Sequence, residues 1–223
     1  MSEITTLQKQ VLDLFRKSSL KKGFYWTGGT LLSAYYLHHR QSKDLDFFSD
    51  SSFSYNQIIP FIRKLKTNLK LPYIEEKKVY DRWEFFLHNK GDLRLEFVFY
   101  PHSRIRPRKK WQGISIDSLE DIAANKVMAF FDRNDPKDLF DLYCLLTKKK
   151  HSLKTLLKLV EKKFGVKIEK MSFWSETHKS LDNLDEIAPL LISRDSQEKQ
   201  KLLKEIRDYF VSRSNQCLRR ILK

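Results

Sequence analysis

Hydrophobic and polar residues follow two different spacings in the first half of the chain. Apolar residues recur every three or four positions within residues 3–17 and 55–69, and residues 30–39 have a helical composition, which predicts three helices. Shorter stretches with strand-like alternation predict five strands, at Phe24–Trp26, Asp44–Phe48, Tyr73–Tyr80, Trp83–His88 and Leu93–Tyr100. This half is therefore predicted to form a sheet with helices packed on it.

The second half of the chain is predicted to be helical. From Ser118 onward every periodic segment has helical spacing. Ser118 with Asp121 suits a helix start, and Pro136 suits the first turn of the following helix, where its missing N–H group costs no hydrogen bond.

The same pattern predicts two connecting segments and one domain boundary. Residues 101–113, which contain proline and arginine, are predicted to be a linker or an exposed loop, and Asn89–Asp92 a hairpin turn. The expected fold class is α/β (α+β). It comprises a small mixed-sheet core over residues 1–113 and a helical C-terminal region over residues 114–223.

The net charge indicates the kind of partner that the chain would bind. The 223 residues carry a formal charge of +15, of which residues 101–223 contribute +10 and residues 1–100 contribute +5. The excess is concentrated in a basic segment that ends at Trp111 and in a lysine-rich helix. Such clusters favour a polyanion, because neutralised phosphates release counterions. A solubilising lysine-rich surface is the alternative for any single cluster.

The sequence gives no indication of a membrane protein or of a protein from an oxidising compartment. No apolar run approaches the ~20 residues needed to cross a bilayer, and the N-terminal apolar residues are spaced as in an amphipathic helix. Two cysteines, Cys144 and Cys217, form neither a disulfide framework nor a metal-ligand pattern. A cytoplasmic protein without membrane association is expected.

Two carboxylates are the strongest chemical signal. In a strand, side chains alternate between faces, so Asp44 and Asp46 share one face while Leu45 points to the other. A glycine pair, Gly28-Gly29, lies upstream and would let backbone N–H groups approach phosphates. Paired aspartates of this kind can hold divalent cations. A solvated pair at a strand end is the plainer alternative.

Two sequence blocks in this order resemble a known family. The first is Thr27-Gly28-Gly29-Thr30 followed by Asp44-Leu45-Asp46; the second is Ser118–Lys126 followed by Arg133 and Asp138–Tyr143. Together, over roughly residues 20–147, they resemble the AbiEii/AbiGii toxin family of the nucleotidyltransferase superfamily. The resemblance implies a nucleotidyltransferase core and a toxin of a type IV toxin–antitoxin or abortive-infection pair. It also implies transfer of nucleotides to tRNA in some members.

The resemblance assigns roles to the first block and to a third acid. Gly28, Gly29 and Thr30 would cradle the phosphates of an NTP. Asp44, Asp46 and Glu96 would hold Mg²⁺ or Mn²⁺, and Glu96 would also take the proton of the attacking hydroxyl. An ordinary ion pair between Glu96 and Arg94, on the same strand face, is the alternative.

The second block would supply cations and their partners. By resemblance, Lys126 lies near the nucleotide phosphates, and Arg133, about two helical turns later, can share its face. Asp138 and Asp141 would orient these cations, or else form a purely structural ion-pair network with them. Arg40 is expected either to contact phosphate or to hold the loop before the aspartates.

The predicted function is therefore metal-dependent transfer of NMP from an NTP to RNA, plausibly the 3′ end of tRNA. A cognate antitoxin protein is implied by the resemblance alone. Two alternatives remain open: the same chemistry on a protein or on an antibiotic-like small molecule, and a catalytically silent RNA- or partner-binding protein. The RNA-binding residues predicted from the basic clusters are Arg104, Arg106, Arg108, Lys109, Lys110, Lys158, Lys162 and Lys163.

Overall fold

The structure, a computed structural model, describes residues 3–89, 91–149 and 151–219. The chain divides into two compact units, the first ending at Leu119 and the second beginning at Glu120. This division falls a few residues later than the boundary that the sequence pattern suggested after residue 113.

The first unit is built on a mixed sheet, in agreement with the fold class predicted from the sequence. Within the described residues, seven strands follow the spatial order β3-β4-β5-β2-β1-β7-β6. The pairs β2–β5 and β1–β7 are parallel and the other neighbours are antiparallel. The strands are β1 (Tyr25–Thr27), β2 (Asp44–Ser49), β3 (Ile74–Val79), β4 (Arg82–Asn89), β5 (Gly91–Phe99), β6 (Lys109–Trp111) and β7 (Ile114–Ile116).

One face of this sheet is the apolar core of the first unit. The helices of this unit are α1 (Thr6–Arg16), α2 (Gly28–Leu31) and α3 (Tyr55–Asn68). Phe15 of α1 stacks on Phe47 of β2 with ring centroids 3.8 Å apart, and Phe61 of α3 meets Phe97 edge-on. Because side chains alternate along a strand, burying Phe47 on this face turns its neighbours Asp46 and Phe48 to the other.

The helix expected at residues 30–39 begins earlier and changes form. α2 starts at Gly28 directly after β1 and continues as a π-helical segment, Leu32–Leu37. It ends at His38, whose φ of 49° is left-handed. A short 3₁₀ turn, Ser19–Lys22, precedes β1. π-helical turns are uncommon and are frequent at functional sites.

The expectation of a linker or exposed loop at residues 101–113 is wrong for its last residues. Strand β6 pairs with β7 through a two-residue turn whose central residues, Gln112 and Gly113, have φ values of 48° and 85°. Positive φ at both positions defines the tight hairpin turn that matches strand twist. The other predicted hairpin joins β4 to β5 as expected; Lys90 within it lies outside the described residues.

The second unit is helical, as predicted. It contains α4 (Leu119–Arg133, beginning at the last residue of the first unit), α5 (Pro136–Thr147), α6 (Leu153–Phe164), α7 (Lys170–Leu181), a 3₁₀ segment (Leu184–Leu190) and α8 (Ser196–Arg219). Asp135 caps α5 and Pro136 occupies its first turn, as expected from the sequence. Phe130, Phe173 and Phe210 are buried. Across the described ranges, no helix has the length and apolar character that crossing a bilayer requires.

We expect Phe47→Ala to lower the free energy of unfolding by about 3–5 kcal/mol, because it empties a fully buried ring site against Phe15. Phe47→Leu keeps most of the volume and should cost less. Urea denaturation followed by circular dichroism measures both variants. Equal losses for Ala and Leu would contradict a packing origin.

Candidate active site

The first feature of the site is a close contact between a glycine and an aspartate. Thr27 of β1 lies opposite Asp46 of β2, so the chain leaves β1 beside that carboxylate. Gly28 has φ +79°, and a Cβ placed on it would lie 1.8 Å from Asp46 Oδ2. Only glycine therefore fits at this position. The side chain of Asp46 lies directly against the bare backbone of the turn that was predicted to cradle phosphates.

The predicted acids lie together on one sheet face. Strand β2 runs parallel to β5 with Asp44 opposite Arg94 and Asp46 opposite Glu96. Residues opposite each other in a ladder point to the same face, so all four side chains leave the sheet on the side away from the phenylalanine core. Asp44 and Asp46 are partly exposed, whereas Glu96 is buried.

An arginine lies between two of these acids. Arg94 Nη2 donates a hydrogen bond of 2.9 Å to Asp44 Oδ2, and its Nε lies 3.1 Å from Glu96 Oε1. The pairing of Arg94 with Glu96 was the alternative to metal binding in the sequence analysis. It is present here, with the carboxylate buried and the guanidinium partly exposed.

Strand β4 adds two groups that the sequence analysis did not identify. Glu84 lies opposite Glu96 and is also buried, and Arg82 Nη1 approaches Glu96 Oε2 at 3.5 Å. Arg82 Nε lies 3.7 Å from Glu84 Oε1. The alternation Arg82-Trp83-Glu84 within a predicted strand was the available signal. Its meaning depended on knowing which strand pairs with β5.

Burial sets the ionisation of this face. It raises the pKa of the Glu96 carboxyl above its usual value, against the lowering effect of Arg94 and Arg82. Burial would also lower the pKa of Arg94, but the neighbouring Glu96 and Asp44 carboxylates outweigh it and raise that pKa. The guanidinium of Arg94 is therefore a permanent positive charge within the site.

The residues fit a divalent cation in part. Asp44 and Asp46 offer hard oxygen donors from adjacent same-face positions, which suits Mg²⁺ or Mn²⁺. Within residues 3–89, 91–149 and 151–219, no three His, Cys, Asp or Glu side chains are grouped as a metal site. Glu96, with each carboxylate oxygen facing an arginine, does not complete such a group.

Hydrogen bonds from α1, from α2 and from Arg40 hold the start of β2 and the segment before it. The Thr30 hydroxyl donates to the backbone carbonyl of Asp44 and is fully buried, so this side chain fixes the strand rather than facing a phosphate. Gln8 of α1 donates from Nε2 to the carbonyl of Ser42 at 2.8 Å. Arg40 is buried and donates to the carbonyl of Gln41, which favours its loop-holding role.

A buried aspartate after β7 fixes both ends of the glycine turn and its helix. Asp117 Oδ2 accepts a hydrogen bond of 2.9 Å from Thr27 Oγ1, directly before Gly28. Its backbone carbonyl accepts one from Tyr36 Oη at 2.8 Å, in the π-helical segment. Asp117 is therefore a positioning residue for this turn.

The basic segment is only partly available to a ligand. Arg108, predicted to bind RNA, instead makes a bidentate ion pair with Asp50 at 2.6 and 2.7 Å and stacks on the Tyr25 ring. That prediction is corrected, because both Nη groups of Arg108 pair with Asp50 and the face of its guanidinium lies on Tyr25, so it cannot also bind a phosphate without breaking these contacts. The other predicted cations of this segment are exposed: Arg104, Arg106, Lys109 and Lys110.

A second cluster of predicted site residues lies wholly within the helical unit. Lys126 Nζ lies 2.7 Å from Asp138 Oδ1 and 2.7 Å from Asp141 Oδ2. Arg133 Nε donates to Asp138 Oδ2 at 2.7 Å. Asp138 thus pairs with both cations and Asp141 with Lys126, which fits the expected orienting role and the structural ion-pair network equally. Both aspartates are fully buried, whereas about half of the Arg133 side chain is exposed.

The charges of this cluster decide the ionisation of Asp138. Burial would raise its pKa, but the ammonium of Lys126 and the guanidinium of Arg133 outweigh burial and lower the pKa below its usual value. The carboxylate is thus ionised at neutral pH and contributes stability that acid removes.

The lysines of α6 separate into two kinds. Lys158 and Lys162 are exposed, as an RNA-binding role requires. Lys163, predicted with them, is buried, and its Nζ donates a hydrogen bond of 2.8 Å to Asp121 Oδ1. The prediction that Lys163 binds RNA is therefore corrected: its charge is consumed by a buried ion pair.

A mixed sheet with a glycine turn against paired aspartates is the core of a nucleotidyltransferase. The family model "Nucleotidyl transferase AbiEii toxin, Type IV TA system" matches residues 11–216, and the chain belongs to this family. The family suspected from the two sequence blocks is thereby confirmed. The chain is accordingly a nucleotidyltransferase-type toxin of the type IV class.

The chain is also similar to two individual proteins. An uncharacterized protein of Aquifex aeolicus is 31% identical over 168 residues, which is 74% of this chain and 77% of that protein. The crystal structure of JHP933 from Helicobacter pylori matches with a TM-score of 0.54 and 21% identity, covering 96% of this chain and 93% of the other. This second likeness shows the shared fold.

We expect Gly28→Ala to be far more destabilising than Gly113→Ala. Both glycines have positive φ, where a Cβ costs roughly 1–2 kcal/mol, but only at Gly28 does the Cβ collide with Asp46; Gly113 has open space. Comparing the two unfolding free energies isolates the contact with Asp46. Losses of equal size would contradict the close approach.

We expect Asp138→Asn to lower the unfolding free energy at pH 7 by about 3–5 kcal/mol, because it leaves buried cations under-neutralised. The folded-state pKa of Asp138 is depressed, so its stabilisation is present above the unfolded value of about 3.9 and is lost as pH falls below it. The difference between wild type and variant should therefore shrink in acid.

Urea denaturation of the full chain between neutral and acid pH measures this difference. Asp208→Asn is the matched control, because its ion pair with Lys204 is exposed on α8 and should contribute under about 0.5 kcal/mol. A constant difference between wild type and Asp138→Asn across the pH range would refute the linkage.

Proposed function

We propose that this toxin transfers a nucleoside monophosphate from an NTP to the 3′ end of RNA, with tRNA as the acceptor, in a reaction that depends on Mg²⁺ or Mn²⁺. The proposal rests on the contact between Asp46 and the backbone of Gly28, because this contact places a candidate metal ligand next to a turn that could bind phosphates. A triphosphate seated on this turn would lie next to both aspartates.

The first unit supplies the donor side of the reaction. Gly28 and Gly29 would receive the phosphates, while Asp44 and Asp46 would hold the divalent cation. Such a cation would supply neutralisation of the charge on the triphosphate. Arg94 adds a fixed positive charge beside Asp44. Positioning and electrostatic stabilisation account for most of the rate in phosphoryl transfer, and these residues provide both.

The reaction balances without any further co-reactant. The oxygen of the acceptor hydroxyl bonds to the α-phosphorus, the bond to the bridging oxygen breaks, and pyrophosphate leaves. The hydroxyl proton passes to water, because the loose transition state makes little demand on a strong base. The buried Glu96, paired with two arginines, then serves to fix Arg94.

Charge supports RNA as the acceptor. The whole chain carries +15, and exposed cations remain in both units after Arg108 and Lys163 are set aside. Phosphates of an RNA would be neutralised by these side chains and would release counterions. A cationic small molecule would be repelled by the same surface. The exposed cations are Arg104, Arg106, Lys109, Lys110, Lys158 and Lys162.

The helical unit would act through its buried charge cluster. Lys126 and Arg133 form, with Asp138 and Asp141, a cluster of two cations and two carboxylates whose net charge is zero. Arg133, whose side chain is about half exposed, is the cation of this cluster that would contact a phosphate. The type IV family also implies a cognate antitoxin, which we propose as the physiological protein partner.

Asp46→Asn should lower transfer by at least about 10²–10³-fold, the scale seen when one preorganised charge-stabilising group is removed. The purified full chain is incubated with total RNA, Mg²⁺ and each NTP in turn, radiolabelled at the α-phosphate. Label on a tRNA-sized band is expected for wild type and should be lost for the variant.

Asp13→Asn is the matched control, because its carboxylate forms only a surface pair with Arg16 on α1. It should label RNA like wild type. Label on protein instead of RNA would overturn the RNA acceptor, and undiminished labelling by Asp46→Asn would overturn the assigned site.

A further inference from the structure

Six charged side chains of strands β2, β5 and β4 lie side by side on the site face. Three of the carboxylates fall in one row across the sheet, since Asp46 is opposite Glu96 and Glu96 is opposite Glu84. We call this set the carboxylate–arginine cluster; its members are Asp44, Asp46, Arg94, Glu96, Arg82 and Glu84.

The two arginines are interleaved with the acids rather than lying around them. Arg94 contacts Asp44 through Nη2 at 2.9 Å and Glu96 through Nε at 3.1 Å. Arg82 reaches the other oxygen of Glu96 and also Glu84. Glu96 is therefore occupied on both oxygens by cations that belong to the protein. Asp46 lies against the backbone of Gly28.

Charge balance separates one metal ion from two. When all its members are ionised, the cluster carries four negative and two positive charges, a net charge of −2. One divalent cation balances this charge, whereas two would leave an excess of positive charge on a partly buried face. Uncompensated charge of that kind is costly in a low-dielectric environment.

We infer that Arg94, anchored by Glu96, takes the place of a second metal ion, so that the protein itself holds a single divalent cation at Asp44 and Asp46. The inference rests on the proposed function, since it assumes a divalent cation at the aspartate pair. It makes Arg94 a fixed cation of the transfer reaction. Glu96 becomes the positioning residue of that arginine instead of a metal ligand.

A guanidinium can perform the electrostatic part of a second ion's work. In phosphoryl transfer, arginine stabilises charge on the phosphoryl oxygens without coordinating them as a metal does. Arg94 is suited to this role because Asp44 holds its Nη2 and Glu96 lies beside its Nε, which leaves the guanidinium little rotational freedom. Glu84 and Arg82 complete the support from β4.

Binding of Mn²⁺ to the full chain without nucleotide tests this directly, by the loss of the free-ion signal in electron paramagnetic resonance. Wild type should bind one ion, and Asp46→Asn should lose it. Arg94→Gln should bind Mn²⁺ about tenfold more tightly or take up a second ion. A unit charge within 4–6 Å shifts an ionisation by a similar factor of roughly ten or more.

Two variants control for charge and for folding. Arg63→Gln removes one positive charge from an exposed position on α3 and should bind like wild type. Arg94→Lys keeps the charge and should also stay close to wild type. Glu96→Gln removes one negative charge and should weaken Mn²⁺ binding by about tenfold at most, far less than Asp46→Asn does, and circular dichroism checks that it folds. If it does not fold, the comparison of Arg94→Gln with Arg94→Lys decides.

The possible outcomes test the inference separately from the proposed function on which it rests. Three results would each overturn the inference and leave the metal site intact. These are two ions bound by wild type, a loss of affinity in Glu96→Gln equal to that in Asp46→Asn, and unchanged binding by Arg94→Gln. Absence of Mn²⁺ binding by wild type, or binding indifferent to Asp46→Asn, would overturn the metal dependence of the proposed function itself.

Discussion

The contact between Asp46 and the backbone of Gly28 is the constraint around which the first unit is organised. It requires β1 and β2 to be antiparallel neighbours with Thr27 opposite Asp46, and it requires a left-handed glycine with no side chain. Hydrogen bonds from Thr30 to β2 and from Thr27 to Asp117 hold the turn and the strand in this relation. This geometry places a carboxylate directly beside the backbone of the glycine turn, so that under the proposed function a metal ligand and a phosphate-binding turn would lie next to each other.

The second physical theme is that buried charges on the site face are balanced by neighbouring strands. Glu96 and Glu84 are buried acids that would be costly alone, and Arg94 and Arg82 compensate them across β5 and β4. The apolar side of the same strands, where Phe47 stacks on Phe15, supplies the hydrophobic stability that supports this charged face. One sheet thus separates packing from chemistry by the alternation of its side chains.

Lysines and arginines of this chain fall into two groups that composition does not distinguish. Lys126 and Lys163 form buried ion pairs, and Arg108 is held by Asp50 and Tyr25. Lys109 and Lys162, next to Arg108 and Lys163 in the sequence, are exposed. A buried pair is a poor source of net stability but a strong source of fixed geometry, because breaking it leaves a charge without compensation. The net charge of the chain therefore overstates the number of cations that an RNA could contact.

Local patterns in the chain determined the helices, the main strands and the paired aspartates, because helical spacing, strand alternation and the Asp44-Leu45-Asp46 run are properties of adjacent residues. The β6–β7 hairpin was missed because three-residue strands carry too little periodicity, although Gly113 marked its turn. The pairing of Glu96 with Arg94, two residues away on the same strand, was foreseeable from local spacing. The pairs of Glu96 with Arg82 and of Lys163 with Asp121 join distant segments and were decided only by the tertiary structure, because strand order and helix packing have no signature in local spacing.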